Sequence, residues 1–156
     1  MRENSAQYFM NEALKLAENC SGNGEIPIGA LVVKGCDIIG KGRNRVEELS
    51  DPTAHAEIEA IREAVKTTGY KHLNDCDMYV TLEPCSMCAG ALILARIRRL
   101  YIGAEDPKTG ACGSVYSIPA DGLLNHRIEV YTGILGEECS TMLKNFFKKL
   151  REPKNA

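Results

Sequence analysis

The chain has 156 residues, 44% of them hydrophobic, and a formal net charge of −2. That length predicts one domain over residues 1–156, with enough apolar material for a single core. The slightly acidic charge excludes a protein that coats nucleic acid by bulk electrostatics, and no apolar run approaches the roughly 18 residues of a membrane span.

From the N-terminus, Ser5 to Cys20 carries Phe9, Met10, Ala13, Leu14, Leu16 and Ala17 at three- and four-residue spacing, which predicts an amphipathic helix with Ser5 available as its cap. Ile28 to Val33 and Asp37 to Arg43 are short strand-like runs around Lys34-Gly35, a plausible hairpin. Asp51-Pro52-Thr53 is a helix-start signal, and Ala54 to Lys66 continues in good helix formers as far as Gly69. Met78 to Leu82 is β-prone and ends at Glu83-Pro84, after which Ser86 to Arg98 favours helix. Arg99 to Gly103 and Ile128 to Thr132 read as strands. A closing basic helix is expected at about 137–151, with Cys139, Met142, Leu143 and Phe146 on one face and a frayed tail beyond it. This alternation predicts a layered α/β domain with a mixed sheet.

The seven cysteines are odd in number, and only Cys85 and Cys88 have CxxC spacing, so a disulfide framework is not expected. Most read as small buried residues, Cys20 and Cys139 among them. The informative pattern is His55-Ala56-Glu57 at one helix start and Pro84-Cys85-Ser86-Met87-Cys88 at another. One imidazole and two thiolates form a borderline-soft set that suits zinc, and a helix N-terminus favours thiolate over thiol. Three protein ligands leave a fourth position to water, whose pKa at a catalytic zinc falls to about 7. Glu57, two residues from His55, is then placed to take and return that water's proton.

Other readings of the same residues stand beside this one. A lone histidine at a helix start is usually a satisfied polar residue, and a lone CxxC is often structural or redox-active. A structural zinc site would require a fourth protein ligand such as Cys76, Cys112 or His72. Arg96, Arg98 and Arg99 could form a phosphate track or merely compensate a helix dipole. Asn44 is equally ordinary as a turn residue, and His72 reads as surface.

The combined pattern resembles the cytidine-deaminase-like superfamily, whose H-x-E…P-C-x-x-C signature belongs to enzymes that extrude a base before acting on it. Nearly the whole chain is similar to the bacterial tRNA-specific adenosine deaminases, through Glu25 to Ala30, Asp51 to Ile58, Thr81 to Cys85, Cys88 to Ala91, Gly103-Ala104, Asp106 to Gly110, Asn125 to Arg127 and Phe146-Phe147. The resemblance implies a three-layer cytidine-deaminase-like fold, a central mixed five-stranded sheet flanked by helices. It implies one Zn2+ per subunit on His55, Cys85 and Cys88, a bound water as nucleophile, and Glu57 as the catalytic proton shuttle. The implied reaction converts adenosine to inosine at the wobble position of a tRNA anticodon loop, chiefly that of an arginine tRNA, with release of ammonia. The zinc signature by itself would equally serve a deaminase of free guanine, cytosine or cytidine.

By the same resemblance, Asn44, the backbone N–H of Ala56 and the Pro84 carbonyl would read the base. Asp106, Lys108, Asn125, His126, Arg127, Phe147 and Arg151 would lie near the splayed loop. Stacking returns about 1–3 kcal/mol per base against the cost of extrusion, and Phe147 sits among Lys144, Lys148, Lys149, Arg151 and Lys154, a basic island on an acidic chain. The resemblance also implies a homodimer, with a site completed across its interface. Together with the absence of signal-peptide features in MRENSAQYF, it predicts a cytoplasmic protein without a membrane partner. Ser86 and Cys112 depart from the residues frequent in the family, which concerns loop packing and not the ligands.

Overall fold

The computed structural model describes residues 5–20 and 24–153. In chain order the elements are α1 (Ser5–Glu18), β1 (Gly29–Lys34), β2 (Asp37–Arg43), α2 (Val46–Leu49), α3 (Ala56–Thr68), β3 (Cys76–Leu82), α4 (Ser86–Leu94), β4 (Arg99–Ala104), β5 (Glu129–Tyr131) and α5 (Gly136–Arg151). The strands form one sheet in the order β2-β1-β3-β4-β5. β1 is antiparallel to both β2 and β3, while β3, β4 and β5 run parallel, so the sheet is mixed as expected.

Alternation along the strands sends apolar side chains to both faces. Ala30, Val32, Met78, Val80, Leu100 and Ile102 pack with Ala56, Ala60 and Ala64 of α3 and with Ala89, Leu92 and Ile93 of α4. Leu31, Val33 and Tyr79 pack instead with Phe9, Met10, Ala13 and Leu14 of α1 and Cys139 of α5. Two cores separated by one sheet make three layers, the expected cytidine-deaminase-like arrangement. Across the second face, Tyr79 stacks on Tyr101 at 4.5 Å and Tyr101 on Tyr131 at 5.1 Å, a cross-strand aromatic ladder.

The alanines of α3 allow the helix to ride directly on β2. A Cβ placed on Gly42 would meet the Ala56 carbonyl at 2.0 Å, so only glycine admits this approach. That contact fixes the start of α3, and with it His55.

Several boundaries differ from the sequence reading. Helix α3 begins at Ala56 rather than Ala54, because Asp51 turns its carboxylate onto Thr53, accepting the Thr53 N–H at 2.8 Å and hydroxyl at 2.7 Å, and His55 takes the N-cap position. Helix α4 ends at Leu94 rather than Arg98, since Arg96 adopts a left-handed φ of 63° and Ile97 turns into the core. The short α2 was not anticipated. The Ser5 side chain, expected to cap α1, and the tail beyond residue 153, with Lys154, lie outside the described residues.

Candidate active site

The chemistry-bearing residues gather where α3 and α4 begin, beside the C-terminal end of β3. His55 is the N-cap of α3 and Cys85 the N-cap of α4, each in extended backbone, while Cys88 lies in the first turn of α4. The His55 Nδ1 atom is 3.6 Å from the Cys85 Sγ and 3.4 Å from the Cys88 Sγ, and the three ligand atoms all lie within 4.8 Å of one another. A tetrahedral ion with bonds of about 2.3 Å to sulfur and 2.0–2.1 Å to nitrogen holds N and S about 3.6 Å apart, so this set could hold such a metal without rearrangement. Among the described residues no further His, Cys, Asp or Glu joins the cluster. Cys76, Cys112 and His72 are not in it, which removes the four-ligand structural alternative.

Cys85 is held down to about 4, first by a hydrogen bond from Cys88 and then, against burial, by His55, while Cys88 is pushed up chiefly by that same partnership. His55 is raised above the ordinary imidazole range by its contact with Cys85. A lowered Cys85 thiol beside an imidazole nitrogen is a donor set suited to a cation held on anionic sulfur.

Glu57 is 4% exposed, in the first turn of α3, and burial raises its carboxyl above the usual range despite contact with Cys88. A carboxyl raised by burial is better matched to taking and returning a proton than an exposed one. It lines, with His55 and Cys85, a cleft of about 320 Å³ whose walls also include Ile26, Ile28, Asn44, Val46, Leu82, Glu83, Asp106 and Thr109. That size admits a nucleobase.

Of the expected base-reading residues, Asn44 is in the cleft and buried. Its Nδ2 donates to the Ile26 carbonyl at 3.2 Å, but its Oδ1 is buried without a partner, an acceptor waiting for a donor. Ala56 opens α3, where first-turn N–H groups have no intrahelical acceptor. The Pro84 carbonyl accepts the Ala111 N–H at 2.9 Å and the Cys112 thiol at 3.9 Å.

The second group is dispersed. Asp106 lines the cleft, and its carboxylate folds back to accept the Lys108 and Thr109 N–H groups and the Thr109 hydroxyl. Lys108 projects to solvent. Asn125, His126 and Arg127 stay on the loop before β5, outside the cleft lining. There the His126 ring contacts the Ile97 carbonyl at 2.7 Å, Arg127 donates twice to the Ala120 carbonyl, and the Asn125 carbonyl accepts from Arg96. Phe147 is 40% exposed beside the half-buried Phe146, and Arg151 is exposed at the end of α5. Arg98 pairs with Asp77 through two bonds of 3.0 Å and Arg99 with Glu129 at 3.2 Å. With the helix ending at Leu94, Arg98 and Arg99 lie beyond its last turn, so the helix-dipole reading does not apply to these two.

Sequence reasoning missed three buried polar residues around the cleft. Glu25 caps α2 by accepting the Glu47 and Glu48 N–H groups at 3.0 and 2.7 Å. The Thr81 hydroxyl accepts the Gly29 N–H at 3.1 Å. Burial would raise the Glu83 carboxyl, but donors from Ser114, Asp106 and Cys112 outweigh it and hold it below the usual range. An acidic residue inside an otherwise apolar strand end was the available signal.

Fold and site together define a cytidine-deaminase-like domain, and the family model for MafB19-like deaminases matches residues 3–151. Among known relatives, the tRNA-specific adenosine deaminase of Aquifex aeolicus is 48% identical over 145 residues, covering 93% of this chain and 95% of its own. That of Haemophilus influenzae is 48% identical over 155 residues, covering 99% of this chain and 90% of its own. A structure from a study of A-to-I editing by tRNA:A34 deaminases superposes with a TM-score of 0.83 at 45% identity, covering 87% of this chain and 99% of its own. The chain belongs to the tRNA-specific adenosine deaminase family.

Proposed function

We propose that this chain hydrolyses adenosine to inosine at the wobble position of a tRNA anticodon loop, releasing ammonia, with one zinc ion per subunit on His55, Cys85 and Cys88. The observation that carries the reading is the convergence of one imidazole and two thiols at tetrahedral spacing beside the buried Glu57 carboxyl. Its context is a chain nearly half identical to tRNA-specific adenosine deaminases. The donor set suits zinc, which when bound supplies the Lewis acidity that makes water a nucleophile near neutral pH.

Glu57 takes a proton from the attacking water and delivers it to N1 of the adenine ring as the C6–O bond forms. It then carries the second water proton to the exocyclic nitrogen as the C6–N bond breaks, so that ammonia departs and the carboxylate is restored. The unpartnered Asn44 Oδ1, the Ala56 N–H and the Pro84 carbonyl would orient the base. Asp106, Lys108, Asn125, His126, Arg127, Phe147 and Arg151 would meet the flanking nucleotides, with an arginine tRNA as the principal substrate. The active form is a homodimer in a cytoplasmic setting; Leu94, Leu123 and Leu124, exposed at 79%, 84% and 50%, offer the apolar surface for it. No helix among the described residues is long and apolar enough to cross a membrane.

The test is incubation of the zinc-loaded protein with an unmodified anticodon stem-loop bearing A at the wobble position, in parallel with free adenosine, cytidine and guanine. Inosine in the stem-loop is expected; ammonia from a free base and none from RNA would assign a free-base deaminase instead. Glu57→Gln should keep its zinc and lose about 10²–10⁴-fold in rate. Unchanged turnover would remove Glu57 from the reaction.

A further inference from the structure

Glu83 lies between the end of β3 and the first thiol of the site, is 4% exposed, and forms no ion pair among the described residues. A buried carboxylate without a cation must be satisfied by other donors or it destabilises the fold. Here every donor comes from one place, the loop between β4 and β5. Oε1 accepts the Asp106 N–H at 3.1 Å and the Ser114 hydroxyl, and Oε2 accepts the N–H groups of Cys112 and Ser114 at 3.0 and 3.1 Å. Two oxygens with four donors leave the carboxylate fully used.

The loop is wrapped closely around this anion. A Cβ on Gly110 would come within 2.3 Å of the Glu83 carboxyl carbon and Oε2, so the backbone there can only be glycine. The same loop carries Asp106 and Thr109, which line the cleft together with Leu82, Glu83 and Cys85. Among the described residues, two other bonds join the loop's 106–112 stretch to the segment 83–85, from the Ala111 N–H and the Cys112 thiol to the Pro84 carbonyl. The carboxylate is therefore the main tie between the substrate-facing loop and the turn that carries the thiols.

We infer that Glu83 is a positioning residue which sets substrate affinity by holding the 105–114 loop at a fixed distance from the Cys85 turn. It touches no reacting atom, and its loss should loosen the wall without removing the ligands or the proton shuttle. This inference rests on the deaminase reading for its kinetic readout only. Glutamine is the informative replacement, because its amide nitrogen would face N–H donors where an oxygen now accepts. The lost acceptor and the opposed donors are expected to weaken substrate affinity by about an order of magnitude.

The experiment compares wild type, Glu83→Gln and the milder Ser114→Ala, which removes one donor of the four. Measured quantities are zinc per subunit, kcat and KM on the wobble-A stem-loop, and hydrogen exchange at the amides of residues 106, 112 and 114. Glu83→Gln is expected to keep its zinc, raise KM about tenfold with kcat within about threefold, and speed exchange at those three amides, with Ser114→Ala intermediate. Unchanged KM with unchanged exchange overturns the inference, as does a fall in kcat alone. If Glu83→Gln does not fold, Ser114→Ala decides, and it overturns the inference by leaving both KM and exchange at wild-type values. If the wild type edits no RNA, the functional reading has failed, and hydrogen exchange alone still decides whether Glu83 holds the loop.

Discussion

Glu57 and Glu83 are both buried carboxyls beside the thiols, yet their surroundings push them in opposite directions. Glu57 is raised by burial, whereas the donors around Glu83 overcome burial and hold it low. One is arranged to exchange a proton and the other to keep its charge. Asp106 behaves like Glu83: burial works against its charge, but the Thr109 hydroxyl and the N–H groups of Thr109 and Lys108 prevail and lower it. Its folded value lies below its unfolded one, so its contribution to stability is complete above the unfolded value and is lost as pH falls through the folded one. Melting curves of Asp106→Ala and wild type should therefore differ at pH 6 and converge as the pH falls below about 3.9. A gap independent of pH would mean that the turn is held by other contacts. The cysteines separate in the same way. Burial raises Cys20 and Cys112 and pushes Cys76 and Cys139 up to about 11 and about 12, while Cys36 is exposed. A maleimide at pH 7.5 should label Cys36 first in the zinc-loaded protein, and a chelator should add Cys85 and Cys88, as peptide mapping would reveal.

At the scale of elements, the contact between α3 and β2 holds the site together. Gly42→Val would drive a side chain into the Ala56 carbonyl and lift the start of α3, costing about 1–3 kcal/mol or more. Urea denaturation should register that loss, and reduced zinc affinity should accompany it because His55 moves with the helix. Helix α5 has a different division of labour. Cys139 is buried against the sheet, whereas Phe147, Lys148, Lys149 and Arg151 face outward near its end. Truncation after Asn145 is expected to weaken stem-loop binding more than zinc binding in protein shown to be folded by circular dichroism. Normal editing by such a truncated chain would place RNA recognition elsewhere.

For the whole molecule, metal binding and folding are linked, since an ion that binds only the folded state stabilises it by mass action. Removing zinc by chelation should lower the melting temperature, and Cys88→Ser should do so without further response to chelator. Most helices and strands were legible because each has its own periodicity, and the four central residues because metal-ligand spacing and helix starts are local signals. The end of α4 was not, since a left-handed Arg96 follows from Ile97 being drawn into the core. Nor were the bonds of Glu25 and Glu83, whose partners lie 22 to 31 positions away in the chain. The sequence by itself determined which atoms could bind a metal and move a proton, because that capacity belongs to imidazole, thiol and carboxyl groups at helix starts. Tertiary structure decided that His55 meets thiols 30 and 33 positions away and which carboxyl is left free to titrate. Those outcomes depend on packing across the sheet and on the donors each group finds there, quantities no local stretch of chain contains.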